Sequence, residues 1–413
     1  MGDSTERGFV LGIDSGGSGV RVALARADAP YEGDGDGGEE RGGDGGDGPA
    51  SGLTWSSPTP AVVGDRGIDA DSLLARVLPA ARALLREAGA DRAAAVCVGA
   101  AGMASLGDDL RAKLPDALAS SLGTRRLALA ADGVTAYAGA LGQRPGAVVA
   151  AGTGLIALGA LPGDPGDTAD ADGADGTRGA DGTGGADGDA DGDGDADGGG
   201  GGESTARSTA GARGGGGWRR ADGWGHLLGD CGGGAWIGRA GLEAAMRAYD
   251  GREGGSQPLL ARLEAVFGPA GELPGKLYPR PDRPAVLASF APEVGRCAER
   301  DPVAAAILRD AAQHIAQAAE AVCPDVEGRV VALTGGLFRM GAPLLVPLRA
   351  QLAERLPNAR VTEAAGDPLA GAVRIATALA TNSLRLPLDA ALLRVMDVGT
   401  DVDMNGGSVA PES

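Results

Sequence analysis

VLGIDSGGS, residues 10–18, is an apolar run that ends on an acid and turns at once through small residues. The run predicts a strand followed by a tight turn. Because Gly16 and Gly17 lack side chains, backbone N–H groups can approach a polyphosphate there, and Ser18 adds a hydroxyl donor. Asp14 at the strand end can face Mg²⁺, which prefers oxygen ligands and keeps several waters. Alone, the stretch also fits an ordinary glycine turn, so its meaning depends on the rest of the chain.

Charge and composition separate two unusual segments from the remainder. The chain has 413 residues and a formal net charge of −19. Residues 30–50 hold seven acids and one arginine, and residues 163–217 hold thirteen acids and three arginines. Outside them the chain is nearly neutral and has no basic stripe, which argues against nucleic acid as a partner. Segments of this composition cannot bury a core, so we expect residues 30–52 and 163–217 to be disordered.

The cysteines and the hydropathy pattern favour a cytoplasmic protein without a membrane segment. The four cysteines form no C-x-x-C pair, which suits neither a zinc site nor a disulfide framework and predicts reduced thiols. The first residues lack the basic and apolar regions of a signal peptide. The longest uncharged stretch, residues 145–163, is broken by glycines and prolines, so it predicts short strands rather than a membrane helix.

Strand and helix patterns alternate in both halves of the chain. This order predicts two α/β domains with a ligand cleft at the carboxyl ends of their strands. We place the first domain at residues 8–136 and the second at residues 137–380. Residues 381–413 are expected to form a partly disordered tail.

Four further motifs combine small residues with strand ends. Ala131-Asp132-Gly133 enters a small-residue helix, and Gly152-Thr153-Gly154 separates two strands. Leu333-Thr334-Gly335-Gly336 follows a buried strand, and GDPLAG at residues 366–371 leads into a helix. From the residues alone, Asp132 fits a helix N-cap and a cleft carboxylate equally well.

In this order the five motifs resemble the sugar-kinase and actin-like ATPase superfamily. The run GWGHLLGD at residues 223–230, continuing to Trp236-Ile237-Gly238, is similar to the N-acetylglucosamine kinase branch of the BadF/BadG/BcrA/BcrD-type ATPase family. The resemblance spans residues 8–380 without the two acidic segments. It implies an α/β fold of two actin-like (ribonuclease H-like) domains, with nucleotide and sugar in the cleft between them.

The resemblance also implies a reaction, in which ATP phosphorylates a hydroxyl of N-acetylglucosamine or a related amino sugar. It makes Asp132 the catalytic base and lets Asp14 hold Mg²⁺, directly or through water. ATP, Mg²⁺ and a small sugar are then the ligands, and family members are often homodimers. The implied contacts are phosphate at Gly16, Gly17, Ser18, Gly152, Thr153 and Gly154, adenosine at Gly335 and Gly336, and sugar at Trp224, Gly225 and Asp230. Gly152 and Gly154 are expected to offer N–H groups, whereas Trp224 either packs near the sugar or fixes its loop.

Two positions depart from the family pattern. The segment SSPTP at residues 56–60 lacks the asparagine expected to contact the sugar, and Thr59 offers only a hydroxyl. Cys231 stands where the family tends to have glutamate. These changes leave the phosphate and base residues intact, but they leave the identity of the sugar open.

Two other functions remain as alternatives. An ATPase that activates acyl-CoA dehydratases needs cysteines for an iron–sulfur cluster between subunits, and the chain has no suitable close pair. A sugar sensor on a kinase fold usually carries a helix-turn-helix, for which seven residues before the first strand leave no room. The sensor is kept as an alternative because of the altered loop at residues 56–60.

Overall fold

The computed structural model describes residues 8–17, 19–28, 52–64, 67–163 and 217–398. Ser18 lies outside the described residues. The two acidic segments, for which we expect disorder, also lie outside the described residues, except at residues 52, 163 and 217. The same holds for the tail beyond residue 398.

Strands in the described residues form two large sheets and one short pair. Their bounds are β1 Phe9–Gly16, β2 Gly19–Arg26, β3 Leu53–Ser57, β4 Val63–Gly64, β5 Gly67–Ile68, β6 Ala93–Ala100, β7 Arg126–Ala131, β8 Gly146–Ala151, β9 Leu155–Ala160, β10 Trp218–Asp222, β11 Val330–Thr334, β12 Arg360–Glu363 and β13 Leu393–Asp397. The first sheet has the order β13-β7-β6-β1-β2-β3, and the second has the order β10-β9-β8-β11-β12.

The two sheets share one internal plan. In the first, β1, β2 and β3 are antiparallel neighbours, and β6 and β7 follow in parallel on the other side of β1. In the second, β8, β9 and β10 are antiparallel, and β11 and β12 are parallel beyond β8. Each half therefore opens with a glycine-containing turn between its first two strands. The α/β class and the paired halves predicted from the sequence are confirmed.

Helices pack against both sheets, and several of them lie in the second half of the chain. Their bounds are α1 Ala70–Glu87, α2 Met103–Leu106, α3 Asp108–Leu122, α4 Asp132–Leu141, α5 Gly234–Tyr249, α6 Gln257–Phe267, α7 Leu273–Leu277, α8 Arg283–Ser289, α9 Ala291–Cys297, α10 Pro302–Val322, α11 Ala342–Arg355 and α12 Pro368–Ala380. Short 3₁₀ helices span Ala270–Glu272 and Gly336–Met340.

The first long helix shows how local sequence sets these elements. Asp69 precedes α1 and accepts the backbone N–H of Ser72 at 2.7 Å, which satisfies one of the helix's unpaired donors. Its apolar residues recur every three or four positions, and Leu73, Val77 and Leu84 are buried against the first sheet. Each buried leucine or valine stabilises the packing by about 1.5–3 kcal/mol.

Two helices join the halves. Helix α4 leaves β7 of the first sheet and leads into β8 of the second, and α12 follows β12 but packs into the hydrophobic core of the first sheet. They cross so closely that a Cβ at Gly371 would overlap the carbonyl oxygen of Thr135. The domain boundary proposed at residue 136 falls inside α4. The cleft is the space between Asp14 of the first half and Arg220 of the second, whose charges both act on the exposed Asp132.

The last described strand returns to the first half. β13 pairs antiparallel with β7, and Leu393 is completely buried in the core of the first sheet. A turn before the strand is held by Asp389, whose carboxylate accepts the amides of Ala391 and Leu392, each at 2.8 Å. The sequence pattern did not predict this strand.

Candidate active site

The first turn places a buried acid beside an arginine. Asp14 near the end of β1 is 9% exposed, and its Oδ2 accepts hydrogen bonds from Arg21 Nη2 at 2.7 Å and Nε at 3.2 Å. Arg21 also pairs with Asp367, the N-cap of α12. A Cβ added at Gly16 or Gly17 would meet no atom within 4 Å, so both glycines face open space. The turn is thus anchored to α12 while its tip stays accessible.

Burial dominates the electrostatics of Asp14. It raises the pKa of the carboxyl above its usual value, and the neighbouring Arg21 opposes that rise. For Arg21, burial by itself lowers the pKa, but the two carboxylates Asp14 and Asp367 together raise it. The guanidinium therefore stays charged and compensates the acids around it.

The donor set around Asp14 suits a magnesium ion bound mainly through a nucleotide. Among the described residues, no cluster of three or more histidine, cysteine or acidic side chains could hold a metal ion. Mg²⁺ commonly takes one or two carboxylates and obtains its other ligands from phosphates and water. Asp14, with Arg21 bonded at only one of its carboxylate oxygens, fits that pattern.

Asp132 begins α4 and opens to the cleft. The N-cap of this helix is Ala131, so Asp132 is the first helical residue, and its Oδ1 accepts the amide of Gly133 at 2.9 Å. The side chain is exposed on its open side, yet protein surrounds the carboxylate elsewhere, and this desolvation raises its pKa. Asp14 raises the pKa further, whereas Arg220 lowers it. Charges from both halves of the molecule therefore act on one carboxylate.

The second turn rests on the start of α5. The amides of Gly234 and Ala235 donate to the carbonyl oxygens of Gly152 (2.9 Å) and Thr153 (2.8 Å). The amide of Gly152 donates to the carbonyl of Gly154 at 2.9 Å, contrary to the expectation that this N–H is open to a ligand. Gly152 and Thr153 are exposed. Contact with a phosphate at this turn would therefore come from Thr153 and Gly154.

Asp222 organises the loop at residues 223–230. It ends β10 with a φ of +62°, a left-handed conformation that aspartate tolerates better than most residues. Its carboxylate accepts the amide of Asp230, and also that of Cys231 at 2.9 Å. This residue was not predicted from the sequence, although an acid directly before glycine at a strand end is a turn signal. The hydrogen bond from the Cys231 amide to Asp222 fixes the backbone at Cys231.

Trp224 and Asp230 occupy different surfaces of that loop. The Trp224 ring is 64% exposed and lies 4.4 Å from the guanidinium carbon of Arg220. Asp230 is half-buried, and its Oδ1 accepts the amide of Gly225 at 3.1 Å. Burial raises the pKa of Asp230, against the lowering effect of that amide. A Cβ at Gly154 would overlap the Asp230 carboxylate, so the loop and the second turn are in direct contact.

Arg220 ties this loop to the cleft and was also missed. Its Nε donates to the carbonyl of Asp222 at 3.1 Å, and its Nη2 donates to that of Gly223. Its neighbour Arg219 is the same residue type, and only the strand register decides which of the two faces Asp132. No signal in the sequence separated them.

The third glycine turn adjoins the second. Gly335 follows β11 with a φ of +105°, and a Cβ there would overlap the carbonyl oxygen of Ala151 at the end of β8. Only glycine fits this position without strain. Gly336 faces open space. The predicted adenosine turn therefore lies beside the predicted phosphate turn at residues 152–154.

The altered loop at residues 56–60 borders the first turn. A Cβ at Gly19 would overlap the carbonyl oxygen of Ser57, so the loop packs directly against the start of β2. Thr59 is exposed, and its carbonyl accepts Arg76 Nη1 at 2.5 Å. The structure thus places this loop, which lacks the expected asparagine, beside the first turn.

None of the helices in the described part of the chain is both long and apolar enough to cross a membrane.

Comparisons with known proteins agree with this arrangement. The profile of the BadF/BadG/BcrA/BcrD ATPase family matches residues 207–376. A candidate N-acetylglucosamine kinase from Chromobacterium violaceum has a similar structure, with a TM-score of 0.55 and 25% identity over 89% of this chain and 98% of the other. A second candidate from Porphyromonas gingivalis has a TM-score of 0.54 and 15% identity over 91% of this chain and 100% of the other. The second likeness shows the fold alone. No curated protein sequence matches the chain.

These likenesses confirm the predicted two-domain, actin-like α/β fold. The profile match adds that residues 207–376 are similar to the BadF/BadG/BcrA/BcrD ATPase family.

Proposed function

We propose that the protein is an ATP-dependent carbohydrate kinase that phosphorylates a hydroxyl of N-acetylglucosamine or a related amino sugar. The observation that carries the proposal is the Asp132 carboxylate, which opens to the cleft and is influenced by Asp14 from one half and Arg220 from the other. The similarity to the candidate N-acetylglucosamine kinase from Chromobacterium violaceum supports the choice of substrate class.

In this proposal the glycine turns hold the nucleotide. Gly16 and Gly17 leave space where side chains would otherwise stand, so phosphate oxygens can approach the backbone there, and Gly154 would offer its backbone at the second turn. Thr153 adds an exposed hydroxyl donor. Asp14 would hold Mg²⁺, which when bound neutralises phosphate charge. Ser18, Gly335 and Gly336 complete the proposed contacts, to phosphate and to adenosine.

Asp132 acts as the general base. A carboxylate accepts the proton of the sugar hydroxyl as the phosphoryl group is transferred, so the alcohol need not ionise beforehand. Desolvation by the surrounding protein raises the pKa of Asp132, which makes its carboxylate a stronger base than an ordinary aspartate. Its place at the first position of α4 fixes the carboxylate relative to the cleft.

The loop at residues 223–230 holds the sugar. The half-buried Asp230 offers a carboxylate to sugar hydroxyls, and Gly225 positions it through its amide. The exposed Trp224 ring offers an apolar face to a pyranose. Arg220 supports that ring from behind.

Sugar-dependent release of ADP, measured across a panel of hexoses and amino sugars, tests the proposal. We expect the highest kcat/KM for N-acetylglucosamine or another amino sugar. Sugar binding without sugar-dependent ADP release would contradict the kinase and favour the sensor.

Replacing the base tests its role directly. We expect Asp132→Asn to lower kcat by about 10²–10⁴-fold, the usual contribution of a general base. ATP affinity should not weaken, because the substitution removes a negative charge near the phosphate turns. Single-turnover kinetics and equilibrium ATP titration measure the two effects separately. Asp91→Asn, at an exposed aspartate remote from the cleft, is the matched control; near-normal turnover in Asp132→Asn would refute the assignment.

A further inference from the structure

A cavity lies in the second half of the molecule, beside the loop at residues 223–230. Its volume is about 680 Å³, and it opens between α5, α7, α8 and the loop residue His226. That volume is within the range of small-molecule sites. The cavity borders the proposed sugar loop through His226 and Leu227, but it is not lined by any of the residues given a contact to nucleotide, metal or sugar, nor by Asp132.

The floor of the cavity is apolar. Leu242, Leu273 and Leu287 are buried there, and Met246 and Leu277 are half-buried. Tyr278 stands at the rim with 70% of its surface exposed. Such a floor removes apolar ligand surface from water, which stabilises a bound molecule by roughly 25 cal/mol per Å² before the costs of binding.

The rim of the cavity is basic, in a chain whose net charge is −19. Four arginines line it, against the two acids Glu243 and Asp250, which leaves a surplus of two positive charges. The four are Arg239, Arg247, Arg252 and Arg283.

Within the part of the chain that the structure describes, the guanidinium groups of two of these arginines have no partner. Arg239 lies 3.6 Å from Glu243, and Arg283 donates to the carbonyl of Tyr278 at 2.8 Å. The guanidinium groups of Arg247 and Arg252 form no ion pair or hydrogen bond with the described residues. Two available guanidinium groups beside an apolar floor present charge and hydrophobic surface to the same ligand.

We propose that this cavity is a second ligand site, which binds a small organic anion with an apolar or aromatic body. Guanidinium groups match the oxygens of carboxylate, phosphate and sulfonate with paired hydrogen bonds. Leu242, Leu277 and Tyr278 would contact the body of the ligand. The site is independent of the kinase proposal, since neither ATP nor sugar is needed to occupy it.

Titration of the full chain with 1-anilinonaphthalene-8-sulfonate, an aromatic sulfonate with environment-sensitive fluorescence, tests the proposal. We expect saturable binding of the probe. At one site per chain, this binding should weaken when Arg247 or Arg252 is replaced. Phenyl phosphate should compete at that site far better than inorganic phosphate or phenol, because only phenyl phosphate combines both features.

Variants locate the site. Arg247→Ala and Arg252→Ala should each weaken binding about tenfold or more, as expected for the loss of a charge-assisted hydrogen bond. Arg349→Ala, at an exposed arginine on α11, should leave it unchanged. Thermal unfolding verifies that each variant is folded.

Equal binding by all three variants, or no saturable binding, would overturn the proposal. So would a change of oligomeric state in the Arg247 and Arg252 variants without any change in probe binding, since that would make this face a protein interface.

Discussion

At the scale of single residues, two arginines set the charge of the cleft. Arg21 forms ion pairs with Asp14 and Asp367, which come from the first sheet and from the start of α12. Arg220 approaches from the second sheet, supports Trp224 and lowers the pKa of Asp132. Each arginine therefore couples a functional acid to an element distant in sequence.

The charge of Arg220 should be visible in the pH dependence of catalysis. Asp132 can accept a proton only when it is ionised, so kcat/KM should rise with pH through its pKa. Desolvation by the surrounding protein raises that pKa, and Arg220 opposes the rise. Arg220→Met removes the opposing charge, so the pKa should increase and the acidic limb should move to higher pH. A profile of kcat/KM against pH measures the shift.

Two matched substitutions separate charge from packing. Arg220→Lys keeps the positive charge, so its acidic limb should stay near that of the unaltered protein. It loses the planar contact with the Trp224 ring, so the sugar KM should rise. Arg219→Met removes the same side chain from the adjacent, exposed position on β10 and should leave the limb in place. An identical profile for Arg220→Met and the unaltered protein would show that this charge does not act on Asp132.

At the scale of elements, the crossing of α4 and α12 determines how the halves meet. Gly139 and Gly371 allow backbone-to-backbone contact: a Cβ at Gly139 would overlap the carbonyl oxygen of Asp367, and one at Gly371 that of Thr135. The helix that begins at Asp132 is thereby fixed against the helix whose N-cap binds Arg21. The positions of the base and of the phosphate turn thus depend on one close contact.

Filling that contact should destabilise the protein. Gly371→Ala forces a methyl group into the carbonyl of Thr135, and overpacking of this kind costs about 1–3 kcal/mol or more. Urea unfolding would measure the loss. Gly275→Ala is the control, because that helical glycine faces open space and alanine favours helices. Equal stability of the two variants would contradict the close crossing.

At the scale of the whole molecule, the sequence predicted the plan of each half but not the pairing of β13 with the first sheet. Glycine turns after apolar strands are local signals, and they led to the turns at residues 14–18, 152–154 and 335–336. Arg220 and Asp222 were missed because their roles depend on strand register and loop closure. The position of α12 in the first core is likewise a long-range contact without a local pattern.

We expect β13, the last described strand, to support the stability of the first sheet. It covers the edge of β7, which otherwise would present unpaired backbone groups, and its Leu393 is fully buried. Leu393→Ala should therefore lower the free energy of unfolding by about 2–5 kcal/mol, the usual cost of truncating a core leucine. Arg394→Ala, one residue further and exposed, should change it by less than about 0.5 kcal/mol.

Hydrogen exchange shows where the protein is destabilised. In Leu393→Ala, the amides of β7 should lose protection before those of β8 and β11 in the second sheet. If the two variants were equally stable, or if both sheets lost protection together, β13 would not be a specific support of the sheet that carries Asp14 and leads to Asp132.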